Sequence, residues 1–372
     1  MTTNKKLFFI LSVLLSFNVS FEAIAKDDVA YPNITGKALF ELRADKVTTT
    51  DKQKVDANSG KINIDADFAL NFNKNWSLIT DWKFKPVMNQ DPNNPERYRN
   101  ILLNRGFGMN DEGLVVEQLK GQFENEDARF FFGKFNPVFG SAFKKEKRIG
   151  VFTTDFTKDY ELREKIGFGI TALLENSDLT ADAFFNDTTA LNDSAINKRG
   201  REKRSDGIAG NTSTPSSYTI AMEGQDLLDV KNLFYNLGYQ NLAVDNMANR
   251  NNQTGFVGGL EYLFPLGLKT SLIPFVEIAS INNLSGENDR NVNYATFALV
   301  GKYSSWTTSI STVIRDIRQK NTLGNQKDRQ IQYSIGYKFS NNVVVDFSRV
   351  QIKENGYSAS LLGAIASYVY SF

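Results

Sequence analysis

The chain has 372 residues and contains neither histidine nor cysteine. Ser-His-Asp and Cys-His arrangements, and metal sites built on His or Cys, are therefore impossible. Carboxylates remain, and Asp65 and Asp67 lie two positions apart, so they would share one face of a strand. Such a pair can serve as acid and base, but along a strand it is more typical of a charged wall. The sequence predicts neither an enzyme nor a cofactor.

Charged and aromatic residues are most densely combined behind the segment GKFNPVFGSAF, residues 133–143. Pro137 removes a ladder donor and Gly140 permits a sharp bend, so a strand must end here. A loop inside a water-filled passage would need charges for the water and aromatic groups to hold the wall, whereas the alternative is an ordinary surface loop. The candidate constriction residues are Lys144, Lys145, Lys147, Arg148, Asp155, Lys158 and Asp159.

Alternation with a period of two recurs from residue 34 to residue 372 and predicts the strands that would position these groups. Apolar residues at 62, 64, 66, 68, 70 and 72 alternate with polar ones at 61, 63, 65, 67 and 71, over about the ten residues that a tilted strand needs to cross a bilayer. A soluble β-sandwich would show the same alternation, so this pattern alone leaves both architectures open. The candidate residues of an inward pore wall are Arg43, Asp65, Asp67, Asp81, Lys83, Lys85, Arg163 and Lys165.

The lengths of the connections separate the two architectures. Short links are predicted at 73–75, 125–127, 176–178, 226–229, 265–267, 304–305 and 340–342, and longer ones at 47–59, 88–111, 139–160, 190–216, 243–253, 281–291, 318–328 and 354–357. Tight turns at one rim and long loops at the other are typical of outer-membrane barrels. The sequence thus predicts an all-β, transmembrane antiparallel β-barrel of about 16 strands, with the fifth at 128–138, the eighth at 217–225, and the loop after strand five folded into the lumen.

Both ends of the chain agree with this architecture. Lys5 and Lys6, the apolar run 7–15 and the small-x-small pattern at 23–25 predict a cleaved signal peptide, residues 1–25, before a barrel domain, residues 26–372. The apolar run is too short for a membrane-spanning helix. At the other end, aromatic residues alternate as in the last strand of an outer-membrane barrel, and they are the predicted barrel-assembly signal: Tyr368, Tyr370 and Phe372.

Charge limits the partners of the chain. Removing residues 1–25 takes away two lysines and one glutamate, which leaves the mature chain formally neutral and argues against a nucleic-acid binder. The basic run 197–204 is interpreted either as a solvated loop or as a contact for lipopolysaccharide phosphates or a field at a pore mouth. Between residues 139 and 160 basic side chains exceed acidic ones by two, which predicts mild anion selectivity if this loop lines the narrowest point.

The signal peptide, the sixteen-strand rhythm and the terminal Phe372 resemble bacterial general porins. The stretches GKFNPVFGSAF and TTDFTKDYELREKIGFG are similar to the corresponding region of alphaproteobacterial porin-like proteins, although the PEFGG signature of enterobacterial porins is absent. The resemblance implies that the loop after strand five narrows the barrel and that residues 88–112 latch onto a neighbour in a homotrimer. It also implies a place in the outer membrane, with lipid, lipopolysaccharide and the barrel-assembly machinery as partners.

The expected function is a water-filled channel for passive diffusion of small hydrophilic solutes and ions. Two alternatives stay open. One is a substrate-selective outer-membrane channel for anions such as phosphate, and the other is a non-conducting barrel adhesin.

Overall fold

The computed structural model describes residues 30–51, 58–87, 112–147, 156–245, 249–320 and 324–372. The predicted signal peptide and residues 88–111 of the predicted latch lie outside these ranges, as do Arg148 and Asp155. For Lys147 only the backbone is described.

Most of the described chain is β-strand. The strands are β1 (Asn33–Thr50), β2 (Asn58–Asn71), β3 (Trp76–Pro86), β4 (Glu112–Glu124), β5 (Ala128–Phe135), β6 (Lys165–Leu174), β7 (Ser177–Asn186), β8 (Ser217–Gln225), β9 (Leu233–Leu242), β10 (Gln253–Tyr262), β11 (Phe264–Gly267), β12 (Thr270–Asn282), β13 (Asn291–Tyr303), β14 (Trp306–Arg318), β15 (Gln326–Lys338), β16 (Val343–Glu354) and β17 (Tyr357–Ser371). The α-helix of the described ranges is α1 (Ala142–Lys147), and single 3-10 turns occur at Thr157–Asp159, Ala190–Asn192, Arg204–Asp206, Leu227–Asp229 and Leu284–Gly286. No helix within these ranges is long and apolar enough to span a membrane.

The sheet closes on itself. Successive strands pair antiparallel, and β17 returns to β1, where Lys37 lies opposite Ser371. Phe372 exchanges two backbone hydrogen bonds with Gly36, at 2.9 and 3.0 Å. β10 and β11 both pair with β12 and form one wall strand interrupted at Leu263, so the barrel has sixteen wall strands. Closure removes the free sheet edges that an open sheet would expose.

The predicted fold class is confirmed, and several boundaries differ. Pro265–Gly267 belong to β11, which has a register shift at this point, and the turn falls at residues 268–269 instead. The predicted loop 354–357 is a tight turn, because Asn355 and Gly356 both have positive φ, as a two-residue hairpin turn requires. β1 continues to Thr50, which shortens the predicted loop 47–59. β5 ends at residue 135, because Pro137 has no amide to continue the ladder.

The outward face of the barrel is apolar. Large side chains that alternate with inward polar ones are about half exposed, among them Phe132, Phe168, Leu237, Phe256 and Phe347. At the end of the barrel with the short turns, aromatic rings pair across or along the strands: Trp76 with Phe123 at 5.1 Å, Trp306 with Tyr337 at 4.8 Å and Tyr370 with Phe372 at 5.9 Å. Aromatic rings at a rim and an apolar band above them match the lipid-facing surface of a transmembrane barrel.

The interior is filled on one side. The connection between β5 and β6, residues 136–164, is called the inserted loop, and its Phe139 and Tyr160 pack in a buried apolar cluster with Ile281 of β12 and Tyr294 of β13. In the closed strand order β12 and β13 lie six and seven wall positions from β5. Because sixteen positions complete the circle, the described parts of the inserted loop, residues 136–147 and 156–164, reach across the lumen to the opposite wall.

Candidate pore constriction

The inserted loop crosses the lumen through a bend at Gly140. This residue has φ +74°, a left-handed conformation that favours glycine. A Cβ there would lie 3.0 Å from the Tyr160 ring and 3.1 Å from Glu277 Oε1. The bend predicted from the sequence therefore lies directly against Glu277 of the opposite wall.

The first attachment of the loop is the carboxylate of Glu277 on β12, which is fully buried. It accepts hydrogen bonds from the backbone N–H groups of Ser141 and Ala142, at 2.6 and 3.1 Å, where α1 begins. It also accepts from the Ser141 hydroxyl, the Tyr160 hydroxyl and the Asn236 amide. Because donors from both halves of the loop converge on this one buried carboxylate, it fixes both halves in place.

The second attachment is the guanidinium of Arg315 on β14. It donates to Asp159 of the loop at 2.8 Å and to the wall carboxylates Asp328 and Glu354, each at 2.6 Å. Its central carbon lies 4.2 Å from the centre of the Phe156 ring, a cation–π distance. The Tyr294 hydroxyl donates to the same Asp159 at 2.9 Å. Arg315 thus holds the loop through its ion pair with Asp159 and through its contact with the Phe156 ring.

The other side of the lumen carries a charged cluster centred on Glu117 of β4. Its carboxylate lies 2.8 Å from the Lys85 ammonium, 3.1 Å from that of Lys83 and 3.2 Å from Arg163, at the end of the inserted loop. Lys83 also contacts Asp65 at 3.1 Å and Asp81 at 3.7 Å. Five of the predicted wall residues therefore converge here: Asp65, Asp81, Lys83, Lys85 and Arg163.

Glu117 was missing from the predicted wall because β4 contains a bulge. The register with β3 shifts between Asp81 and Trp82, so Gln118 and Val116 have partners while Glu117 is the additional residue. In the sequence, the apolar pair at 115–116 followed by the polar pair at 117–118 breaks the alternation. That break was the available signal for the bulge.

The other predicted wall residues lie apart from this cluster. Arg43 pairs with Asp45 at 2.8 Å, and Lys61 approaches the same carboxylate at 3.7 Å. Asp67 faces Lys37 at 3.5 Å in an exposed pair. Lys165 donates to the Asn186 side chain at 2.7 Å, beneath the loop that follows β7.

Two of the described constriction candidates, Lys145 and Asp159, form ion pairs with the wall. The Lys145 ammonium lies 2.7 Å from Glu261 of β10 and over the rings of Phe234 and Phe275. Asp159 is held by Arg315, as described above. The side chain of Lys144 is exposed, with its ammonium 5.7 Å from the centre of the Phe143 ring, and Lys158 is exposed as well. Pairing with the wall therefore occupies one cation and one anion and leaves the predicted basic excess of two unchanged.

The loop between β7 and β8, residues 187–216, folds back over the long-loop end of the barrel. Ala195 forms a β-bridge with Leu114 of β4, and the Asn197 side chain donates to the Glu112 carbonyl at 2.8 Å. Arg199 forms a two-pronged ion pair with Glu164, the last residue of the inserted loop. The basic run 197–204 is thus partly built into the structure, although sequence reasoning treated it as a solvated loop or an anion contact.

Burial and pairing shift the pKa values in this loop. Burial raises the pKa of Glu164, but the hydrogen bonds and charges of Arg199 and Lys134 outweigh it and hold the pKa below its ordinary value. Burial lowers the pKa of Arg199, and Glu164 more than compensates, so the pKa is raised. Burial raises the pKa of the Glu202 carboxyl above its ordinary value. Ion pairing thus stabilises the contact between the two loops.

The described residues form no group of three or more metal-ligating side chains. What they contribute is the shape of the passage and the electric field of its charged side chains. The inserted loop fills the lumen beside β9–β14 with apolar packing, and mixed charges line the wall of β1–β4. Sequence reasoning missed Glu277, Glu117 and Arg315 as site residues. The arrangement can narrow a passage and set an electric field in it.

Comparisons with known proteins identify the architecture. No protein-family model matches the chain. No curated protein matches it either. Solved structures similar to it include the outer membrane protein OpdK from Pseudomonas aeruginosa (TM-score 0.55, 9% identity, covering 91% of this chain and 99% of that chain), a BenF-like porin from Pseudomonas fluorescens Pf-5 (0.52, 10%, 91% and 99%) and OmpTdeltaL8, a loop-deletion mutant of an outer membrane protein of Vibrio cholerae (0.52, 10%, 91% and 99%). At such low identity the likeness shows the fold, a closed antiparallel barrel of the outer-membrane porin type.

Proposed function

We propose that the chain is a porin of the bacterial outer membrane, forming a water-filled channel for the passive diffusion of small hydrophilic solutes and ions. The observation that carries this proposal is the division of the lumen. The inserted loop packs against β9–β14, while the opposite wall carries ion pairs around the buried Glu117 carboxylate, in which the Lys85 and Arg163 side chains are partly exposed. A charged wall beside a fixed loop is how a pore sorts solutes by size and charge without a reaction.

The exterior supports the membrane location. A continuous apolar face that is about half exposed would drive aggregation of a soluble protein, whereas in a bilayer it faces acyl chains. The structural neighbours are outer membrane proteins by name, which favours the same location here. The finer sequence resemblance to alphaproteobacterial porins, and the cleavage of residues 1–25, belong to this proposal as well.

A substrate-selective channel is the second candidate. Three cations, Lys83, Lys85 and Arg163, converge on the wall beside the inserted loop, where they could order an anionic solute. The neighbour OpdK has been solved with vanillate, which shows that a barrel of this architecture binds an organic solute. A non-conducting adhesin remains the alternative from a different class.

Conductance of the purified protein in a planar bilayer tests these three functions. We expect large ohmic current steps that all small salts carry. Small steps that one solute blocks would instead indicate the selective channel. Silence from protein that shows the heat-modifiable gel mobility of a closed barrel would contradict both channel proposals and favour the adhesin.

Ion preference is tested by the reversal potential in a salt gradient. We propose mild anion selectivity, from the basic excess of the inserted loop. Replacing Lys144, Lys145, Lys147 and Arg148 by Glu should move the potential toward cations. Because Lys145 is already paired with Glu261, the single change Lys145→Gln should contribute less than Lys144→Gln. If the fourfold variant leaves the potential unchanged, these side chains do not line the narrowest point.

Assembly is proposed on the sequence resemblance. We propose a homotrimer, which a monomeric mass in mild detergent would contradict. The alternate aromatics at the end of β17, Tyr368, Tyr370 and Phe372, are the proposed signal for the barrel-assembly machinery. Deleting Phe372 also removes its two backbone bonds to Gly36 and should impair insertion into the outer membrane. Normal insertion of that variant would argue against the signal.

A further inference from the structure

The outward wall of the barrel contains a groove that crosses β12–β17 and reaches β1. Its volume is about 850 Å³. Small residues and large apolar side chains line it, including Ala44, Gly301, Ala364, Leu299, Tyr333 and Leu362. The large ones are exposed and alternate with buried inward residues such as Ser309 and Ser348, which places the groove on the outer face. Its shape and composition suit acyl chains.

Basic side chains border this groove at the long-loop end. Lys46 and Arg349 both line it and are exposed. In the register Lys46 lies opposite Leu362, and Leu362 lies opposite Arg349, so the two cations flank an apolar side chain. Two strand spacings separate their backbones, about 10 Å. A single lipid head group with more than one negative charge can span that distance.

A second pair of cations lies next to the first. Arg329 of β15 and Lys353 of β16 are direct cross-strand partners, and both are exposed on the outward face. Like charges directly opposite each other destabilise a sheet unless an anion lies between them. Within the described part of the chain, no carboxylate pairs with Lys46, Arg329, Arg349 or Lys353. The outward Asp316 pairs with Arg318, and Asp51 accepts from the Ser358 amide.

The rest of the outer wall shows no such cluster. On β6 to β10 the outward residues of the described chain carry no charge, as in β6 with Ile166, Phe168 and Ile170. The four cations are therefore confined to the sector that also contains the groove. These four cations lie near the end of the barrel that carries the long loops.

We propose that this sector is a specific binding site for lipopolysaccharide, with acyl chains in the groove and phosphate groups on Lys46, Arg329, Arg349 and Lys353. Charge complementarity selects a phosphate-bearing lipid over a neutral one. Because the groove and the cations lie in the same sector, the site fits a lipid, which has both acyl chains and phosphates, better than a free phosphate. The inference rests on the proposed membrane location and is independent of conduction, so a silent channel would leave it standing.

The test uses the full mature protein purified in detergent and titrated with lipopolysaccharide, with retained lipid counted by native mass spectrometry. The variant K46Q/R329Q/R349Q/K353Q should bind at least about tenfold more weakly, because each basic group near a lipid head group contributes to affinity. Enzymatically dephosphorylated lipopolysaccharide should bind the unaltered protein equally weakly. Heat-modifiable mobility verifies that each variant is folded.

The matched control removes the same charge at the opposite rim, with K74Q/K231Q/K269Q/K338Q, all exposed positions. This control should bind as tightly as the unaltered protein. A second variant, Ala364→Trp, fills the groove without altering charge and should also weaken binding. Equal binding by the fourfold variant and its control would overturn the site. If instead the protein binds no lipid but retains a second copy of the chain, and Ala364→Trp abolishes that retention, the groove is a self-association surface.

Discussion

The two sides of the barrel interior are built on different principles. Beside β9–β14 the inserted loop is fixed by buried groups, with Glu277 gathering neutral donors and Arg315 gathering carboxylates. Beside β1–β4 the wall carries mixed charges, with the buried carboxylate of Glu117 surrounded by cations of which Lys85 and Arg163 are partly exposed. Hydrogen bonds to Glu277 hold the geometry of the loop, whereas the charges around Glu117 set an electric field. Variants on the first side should therefore change the size of the passage, and variants on the second should change its ion preference.

The largest effect is expected from Glu277→Ala. It leaves the N–H groups of Ser141 and Ala142 and the Tyr160 hydroxyl without their acceptor in a buried site, which costs about 3 kcal/mol of loop stability. Because the strand ladder is untouched, the barrel should still form while the loop loosens around residues 140–142 and stays tethered by Arg315. Single-channel recording should show larger and noisier current steps.

The matched control for this variant is Glu287→Ala, which removes a carboxylate that pairs with Arg290 in another loop. It should leave the current unchanged. Equal conductance of Glu277→Ala and the unaltered protein would contradict the assigned attachment.

Arg315→Met should have the next largest effect. It leaves Asp159, Asp328 and Glu354 without their shared cation, and their repulsion should loosen the loop around residue 159. The reversal potential should move toward cations together with an increase in current noise. Arg315→Lys keeps the charge but loses the planar fork, so its shift should be smaller. Equal shifts for the two variants would show that charge played no part.

Glu117→Gln should change selectivity more than size. It leaves Lys83, Lys85 and Arg163 with one negative charge fewer, so the anion-to-cation permeability ratio should rise, roughly twofold. Glu124→Gln carries the same charge change at the short-turn end, where its partner is Arg129, and serves as the control. If both variants shift the reversal potential equally, the Glu117 cluster does not control the narrowest field.

The smallest effect is expected when pH changes the stability of the contact between the inserted loop and the loop of residues 187–216. The pKa of Glu164 is lowered in the folded chain, so its ion pair with Arg199 stabilises the fold above the ordinary carboxyl pKa. That contribution should be lost as the pH falls through the lowered folded value. Limited proteolysis of residues 187–216 should accordingly be faster below about pH 4 than at pH 7. Glu164→Gln should abolish this difference, and an unaltered pH dependence in that variant would contradict it.

Much of the wall could be predicted from the sequence, because each strand shows its two faces directly. The alternation at 61–72 and the turns at 73–75 and 125–127 follow from local chemistry, and they match the strands observed. Glu117 was missed because a bulge moves a side chain to the other face without a strong sequence signal. Glu277 was missed because nothing in β12 itself indicates that a loop from β5 arrives there.

The sequence by itself determined the closed barrel, the short-turn rim and the position of the bend at Gly140. These depend on periodicity, on turn residues and on a proline that ends a ladder, all of which act over a few residues. The tertiary structure alone decided which charges remain available in the lumen. Lys145 and Asp159 read as pore charges in the sequence, yet Glu261 and Arg315, more than a hundred residues away, neutralise them. Pairing across a barrel depends on which wall lies opposite, and only closure of the sheet establishes that.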